Sequence, residues 1–105
     1  MLAALVECEA GGESYEGQLA VASVVVNRVK SGSFPNTISG VIYQAGQFSP
    51  VASGRFAVVL ARGAAASCVQ AANAALAGNI NISALYFCRA DSGVPGTVIG
   101  NHVFY

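Results

Sequence analysis

Residues 7–29, ECEAGGESYEGQLAVASVVVNRV, crowd Glu7, Glu9, Glu13 and Glu16 into ten positions and then turn apolar. Those four are all but one of the acidic residues in the chain. From Leu19 to Val26 every residue except Ser23 is Leu, Ala or Val. A helix that is apolar nearly all round belongs at the centre of a fold rather than on its surface. Ser14 is a suitable N-cap for it, and Glu16 falls in its first turn, where the helix dipole favours negative charge. The helix should reach about Lys30 and end at Ser31-Gly32. Upstream, Met1 to Ala10 reads as the end of another helix, with Leu2, Leu5 and Val6 on one side. Gly11-Gly12 should stop it by adopting the left-handed conformation that ends helices at little cost. The stretch therefore predicts two helices that meet at a carboxylate-rich turn, the second of them the core of the domain.

The remaining elements follow from the same signals. Phe34-Pro35-Asn36 makes a turn, and Thr37 to Tyr43 reads as a short helix. Gln44 to Pro50 reads as extended, with Ser53-Gly54 as a turn. Phe56 to Leu60 is open between strand and helix, as short apolar runs are. Ser67 is a candidate N-cap for a helix over Cys68 to Ala77, with Gly78 as its stop. Ala84 to Cys88 is rich in strand formers, Asp91 to Gly96 is a turn or loop, and one last strand lies within Thr97 to Tyr105. The sum is a helical domain with a small sheet, in the α+β class.

At 105 residues the chain is long enough for one core and too short for two. Charged residues make up 10%, against about 25% in ordinary soluble domains, and the formal net charge is zero. Arg28, Lys30, Arg55, Arg62 and Arg89 are scattered, so no basic patch offers itself to nucleic acid or to an anionic membrane. A neutral partner such as a glycan fits better. No apolar run approaches the roughly 20 residues of a membrane-spanning helix. Glu7 and Glu9 interrupt the opening and no basic region precedes it, so it does not read as a signal peptide. We expect a single domain, residues 1–105, taken from a longer protein that carries the targeting signals. Cys8, Cys68 and Cys88 fit no zinc spacing. They are open between buried thiols, a Cys68–Cys88 disulfide, and, for Cys8, a nucleophile.

The carboxylates carry the chemistry. Glu7 and Glu9 are two apart, so on a helix they face different ways. Glu9 is nearest the glycine break, at the helix end where the dipole disfavours a negative charge. With apolar shielding its pKa should rise, as a general acid working near neutral pH requires. From spacing alone the alternative, a solvated acidic turn, stands beside this reading.

The order of motifs goes further. Glu9-Ala10-Gly11-Gly12-Glu13-Ser14-Tyr15-Glu16-Gly17-Gln18-Leu19-Ala20-Val21-Ala22, followed by Val25-Val26-Asn27-Arg28-Val29, resembles the opening motif of the SleB/CwlJ-type cell-wall hydrolases. The resemblance continues through Gln47-Phe48-Ser49-Pro50, Ala71-Ala72, Ala74 to Gly78 and Ala84-Leu85-Tyr86-Phe87. It closes on Ile99-Gly100-Asn101-His102-Val103-Phe104-Tyr105. The first and last blocks are specific and the Ala-rich one is weak. The chain departs from the pattern at Glu7-Cys8, where the family commonly has an aromatic and a small residue, and at Gly11, where many relatives have Arg.

The resemblance implies a lysozyme-like fold, mainly helical, with a small antiparallel sheet walling a cleft. It implies cleavage of the β-1,4 bond between N-acetylmuramic acid and N-acetylglucosamine in peptidoglycan, with Glu9 as the catalytic acid and then base. Gln47 and Ser49, on a sheet edge facing the cleft, would bind sugar. Tyr86 and Phe87 alternate on a strand, so one of them, Tyr86 in our assignment, would face the sugar. His102 would either orient the cleft or serve as a satisfied structural residue, and Glu13 would brace the second helix or contact substrate. Ordinary glycosidases use two carboxylates. Beyond residue 16 only Asp91 is acidic, and its Gly/Pro loop points to turn chemistry. We therefore expect a lytic transglycosylase with one general acid/base, and no carboxyl across the cleft within about 10 Å of Glu9. The alternatives are a hydrolytic muramidase, an amidase, or a non-catalytic peptidoglycan-binding module. No metal or other cofactor is expected. The chain should act as an extracytoplasmic monomer on glycan strands.

Overall fold

Seven consecutive residues, Ala20 to Val26, are buried in the middle of one helix. This is α2 (Tyr15–Ser31) in the computed structural model, which describes residues 1–105. It packs against α1 (Leu2–Ala10), α3 (Ile38–Ile42) and α6 (Ala66–Leu76). The Ser14 hydroxyl accepts the Gly17 N–H at 3.3 Å, and Gly32, at φ 78°, closes the helix in the left-handed conformation. Both ends of α2 and its central position are as the sequence dictates. No single helix is long and apolar enough to cross a membrane.

The break between α1 and α2 works differently from the expectation. Gly11 is right-handed, at φ −58°, so the chain turns without a left-handed residue there. Thr37 caps α3 through its hydroxyl, as a short helix at this place requires. The segment expected to be extended, Gln44 to Pro50, is instead a turn leading into α4 (Ser49–Ser53), within which Phe48 has extended angles. Pro50 stands in the first turn of α4, where its missing N–H costs nothing. Gln47 and Ser49 are therefore not on a sheet edge. The ambiguous apolar run resolves as α5 (Arg55–Arg62), which buries Phe56 and Val59 and exposes the rest.

The cap of α6 also differs. Ser67 does not cap it; the helix begins at Ala66 without a side-chain cap from its own N-cap residue. The Glu7 carboxylate reaches across from α1 and accepts the Ala65 N–H at 2.7 Å, while it pairs with Arg62. A cap supplied from 58 positions away leaves no local sequence signal.

The sheet has three short antiparallel strands in the order β1-β3-β2. They are β1 (Phe87–Arg89), β2 (Thr97–Ile99) and β3 (His102–Phe104). Phe87 pairs with Phe104 and Arg89 with His102, while Thr97 and Ile99 face the same two β3 residues from the other side. The single last strand expected from the sequence is thus a hairpin, turned at Gly100 (φ 59°) and Asn101. Between α6 and the sheet the chain runs irregularly, and its carbonyls need partners. Asn27 supplies them for Ile82 and Ala84 at 2.9 and 3.0 Å, and Arg28 for Leu85 at 2.7 Å. The polar end of α2 is thereby the strap that holds the sheet against the helices.

All three cysteines are free. Cys68 is fully buried in the helical core, and Cys88 contacts the Ser92 hydroxyl at 3.2 Å. The Cys68–Cys88 disulfide is not formed, because α6 turns Cys68 inward against the neighbouring helices as a small apolar side chain.

Candidate active site

The last turn of α1 sends its two acids to different environments. Glu7 is fully engaged by Arg62 and the Ala65 N–H, which hold its carboxyl below the usual carboxylate range. Glu9 receives no hydrogen bond and no ion pair from the protein, and burial alone pushes its pKa up. That is the environment of a group that can keep a proton until a substrate oxygen takes it. The shift expected from position has desolvation as its cause.

Glu9 borders two adjoining hollows. One, of about 360 Å³, is lined among others by Arg28, Gln47, Phe48, Ser49, Phe87 and His102. The other, of about 420 Å³, is lined by Glu13, Arg89, Ala90, Asp91, Asn101 and His102. Together they form a groove with α1 and the α3–α4 turn on one side and the sheet on the other. Two larger hollows lie along Ile80–Tyr86, and neither contains a carboxylate. Chemistry, not size, singles out the Glu9 groove.

The residues anticipated from the sequence distribute unevenly. Gln47 and Ser49 stand in the groove with Glu9, although a turn and a helix start place them there. His102 borders both hollows; its ring stands edge-on to Phe87 and Phe104, and its buried Nδ1 finds no protein partner. Tyr86 is not brought to Glu9. It lies half-exposed, stacked on Tyr105 at 5.5 Å, and lines a separate hollow. Strand alternation gives the groove Phe87 instead. Glu13 braces the hairpin rather than α2: Asn101 donates to it through both its backbone N–H and its side-chain amide, each at 2.9 Å. Those bonds hold its pKa down.

Asp91 does not cap its own loop but pairs with Arg89 at 2.7 Å on the exposed rim. Asp91 and Glu13 thus share a hollow with Glu9, yet each is committed to a partner, and Glu9 alone is unpaired. Cys8 lines neither hollow, and burial pushes its thiol pKa up, which removes the thiolate a nucleophile needs.

Arg28 is the residue sequence reasoning passed over. It was one scattered cation among five; in the fold only 4% of it is exposed, and no carboxylate pairs with it. Its guanidinium lies over Phe34, Phe48 and Tyr86, 4.7 to 5.3 Å from each ring centre. The available signal was a charge on an otherwise apolar, central helix, which must be paid for by specific partners.

Known proteins resemble this chain in sequence and fold. The chain is 37% identical to the spore cortex-lytic enzyme of Oceanobacillus iheyensis and to that of Bacillus cereus, over 99% of its length. It spans about two fifths of those relatives, 40% and 42% respectively. Two solved structures superimpose on 98% of the chain. The catalytic domain of the germination-specific lytic transglycosylase SleB from Bacillus anthracis does so with a TM-score of 0.83, 36% identity and 88% of that domain covered. The catalytic domain of Bacillus cereus SleB gives 0.86, 37% and 84%. The lysozyme-like, mainly helical fold with its small sheet is therefore shared with these domains. The profile of the cell wall hydrolase family matches residues 12–105, beginning just after Glu9 and taking in the rest of the groove. On fold, sequence and motif order, the chain belongs to the cell wall hydrolase family.

Proposed function

We propose that this domain cleaves the glycan strand of peptidoglycan at the β-1,4 bond between N-acetylmuramic acid and N-acetylglucosamine, as a lytic transglycosylase. The observation that carries the reading is Glu9: a carboxyl without a protein partner, its pKa raised by burial, at the junction of two hollows. The similarity to a domain described as a lytic transglycosylase supports the reaction type. Glu9 gives its proton to the glycosidic oxygen as the bond to the muramic C1 breaks. The muramic 6-hydroxyl then closes on C1, and its proton returns to Glu9. The products are a free 4-hydroxyl on one sugar and a 1,6-anhydro ring on the other, with no water consumed. The acetamido group stabilises the positive charge at C1 that a second carboxylate would otherwise meet. Glu13 and Asp91 border the site but are bound to Asn101 and Arg89, which leaves them poorly placed to hold a nucleophilic water.

The substrate implies action outside the cytoplasm, in the wall or the spore cortex. The amidase reading lacks a ligand set, since no three His, Cys, Asp or Glu side chains cluster for a metal. The deciding experiment is mass spectrometry of the fragments released from purified peptidoglycan. Anhydro-muramyl fragments support the proposal; reducing-end sugars, free peptides or no release overturn it.

A further inference from the structure

Gln47 and Arg28 meet at the wall of the groove that contains Glu9. Arg28 Nη1 donates to Gln47 Oε1 at 3.0 Å, and Arg28 Nε donates to the Leu85 carbonyl at 2.7 Å. A guanidinium has five N–H donors and no acceptor. The oxygen of the Gln47 amide must therefore face Arg28, whichever way the amide would turn in isolation. Three aromatic rings and the Leu85 carbonyl fix the guanidinium, so the direction of the amide is fixed as well. Its Nε2 then points away from Arg28. Gln47 is exposed in the groove, and the hydrogen bond its side chain makes is the one its Oε1 accepts from Arg28.

We infer that Gln47 is a specificity-determining residue whose Nε2, oriented by Arg28 as a positioning residue, donates to an amide carbonyl of the glycan strand. The inference rests on the reading of this groove as a glycan site. A fixed donor distinguishes a carbonyl from a hydroxyl, because a hydroxyl can either give or accept and would not need the amide held one way. Peptidoglycan strands offer that carbonyl from two sources, the 2-acetamido group of each sugar and the lactyl amide of muramic acid. Gln47 is exposed, so a ligand lacking the carbonyl loses one hydrogen bond, whereas an acceptor set in place of the donor also opposes the carbonyl directly.

The test is Gln47→Glu. The substitution keeps an acceptor oxygen toward Arg28, turns the groove-facing donor into an acceptor, and adds a negative charge beside the Arg28 guanidinium; any effect of that charge alone falls equally on every ligand. Binding is measured by calorimetry in a Glu9→Gln background, so that catalysis plays no part. The ligands are intact muroglycan oligomers, de-N-acetylated oligomers, and oligomers with the lactyl amide removed. We expect Gln47→Glu to melt no lower than its parent and to bind intact oligomers about 3- to 10-fold more weakly. On one of the two stripped ligands that loss should vanish, which identifies the carbonyl. If Gln47 merely satisfies Arg28, binding will be unchanged; that result, or an equal loss on all three ligands, overturns the inference. If the Glu9→Gln parent binds none of the oligomers, the glycan reading of the groove falls, and this inference with it.

Discussion

The Glu13 carboxylate holds the backbone N–H and the side-chain amide of Asn101, each at 2.9 Å, and so ties the entrance of α2 to the turn between β2 and β3. Gly100 forms the first half of that turn at φ 59°, and a Cβ there would run into Glu13 Oε1. The clamp positions the sheet wall that bears His102. Gly100→Ala should break it, by strain at positive φ and by displacing the carboxylate. We expect activity to fall several-fold and amide exchange to accelerate across the hairpin while α2 stays protected, measured by hydrogen exchange with mass spectrometry.

The same clamp titrates. The bonds from Asn101 hold the Glu13 pKa below its unfolded value. Its contribution is therefore present above the ordinary carboxylate pKa and lost as pH falls through the lowered one. Glu13→Gln leaves one good acceptor where there were two. It should cost about 1 kcal/mol at neutral pH, a modest figure because the site is partly open to solvent, and less in acid. Thermal melts of both proteins from pH 7 down to about pH 3 should converge.

Glu7 gives the contrasting case on α1. Its carboxylate pairs with Arg62 and caps the start of α6 through Ala65, far from any substrate role. Glu7→Gln should cost about 1 kcal/mol, the usual loss for a weakened N-cap, and leave glycan cleavage within about two-fold of the parent. A melt and a turbidity assay on one preparation separate the two effects.

These two acids, together with Glu9, show where the sequence was readable. The hydrophobic run, Ser14 and Gly32 specify α2 locally, and the raised pKa expected for Glu9 at the end of α1 is what the fold gives it, through burial. What escaped was whatever is supplied across the fold. The cap of α6 comes from α1, Asn27 and Arg28 satisfy carbonyls more than 50 positions away, and the hairpin turn is held from the start of α2. Gln47 and Ser49 were placed in the groove by motif but given the wrong support, because Gln44 to Pro50 turns through local bonds, the Gln47 N–H to the Gln44 carbonyl among them, with Gly46 at φ 76°. Tyr86 was preferred over Phe87 because alternation fixes that one faces the groove, not which.

Glu9 should behave oppositely to its neighbours in stability. Burial raises its folded pKa above the unfolded value, so the folded state loses stability as pH rises from the ordinary carboxylate range through the raised pKa. Glu9→Gln removes that penalty. The variant should melt at or above the parent temperature at pH 7 and show no such decline. Its activity should drop by about 10²- to 10⁴-fold, the usual loss when a general acid is removed. Retention of more than about a tenth of the parental activity would remove Glu9 from the mechanism.

The reaction type follows from what stands opposite Glu9. A hydrolytic glycosidase needs a second carboxylate, about 5–5.5 Å away as nucleophile or 6.5–9.5 Å away as base for a water. Asp91 is exposed and bound to Arg89, and Glu13 spends its oxygens on Asn101. On the proposed reading, the nucleophile comes from the substrate itself rather than from a partner acid. The muramic 6-hydroxyl is within reach of its own C1 and needs only Glu9 to accept its proton. Released fragments should therefore be lighter than hydrolytic ones by one water, about 18 Da, and digestion in H₂¹⁸O should leave them unlabelled. Strands carrying a 6-O-acetyl group should resist cleavage, since the attacking oxygen is blocked. Incorporation of ¹⁸O at the new muramyl end would instead require one of the committed acids to leave its partner and activate water. In that event, Asp91→Asn and Glu13→Gln would identify which acid does so.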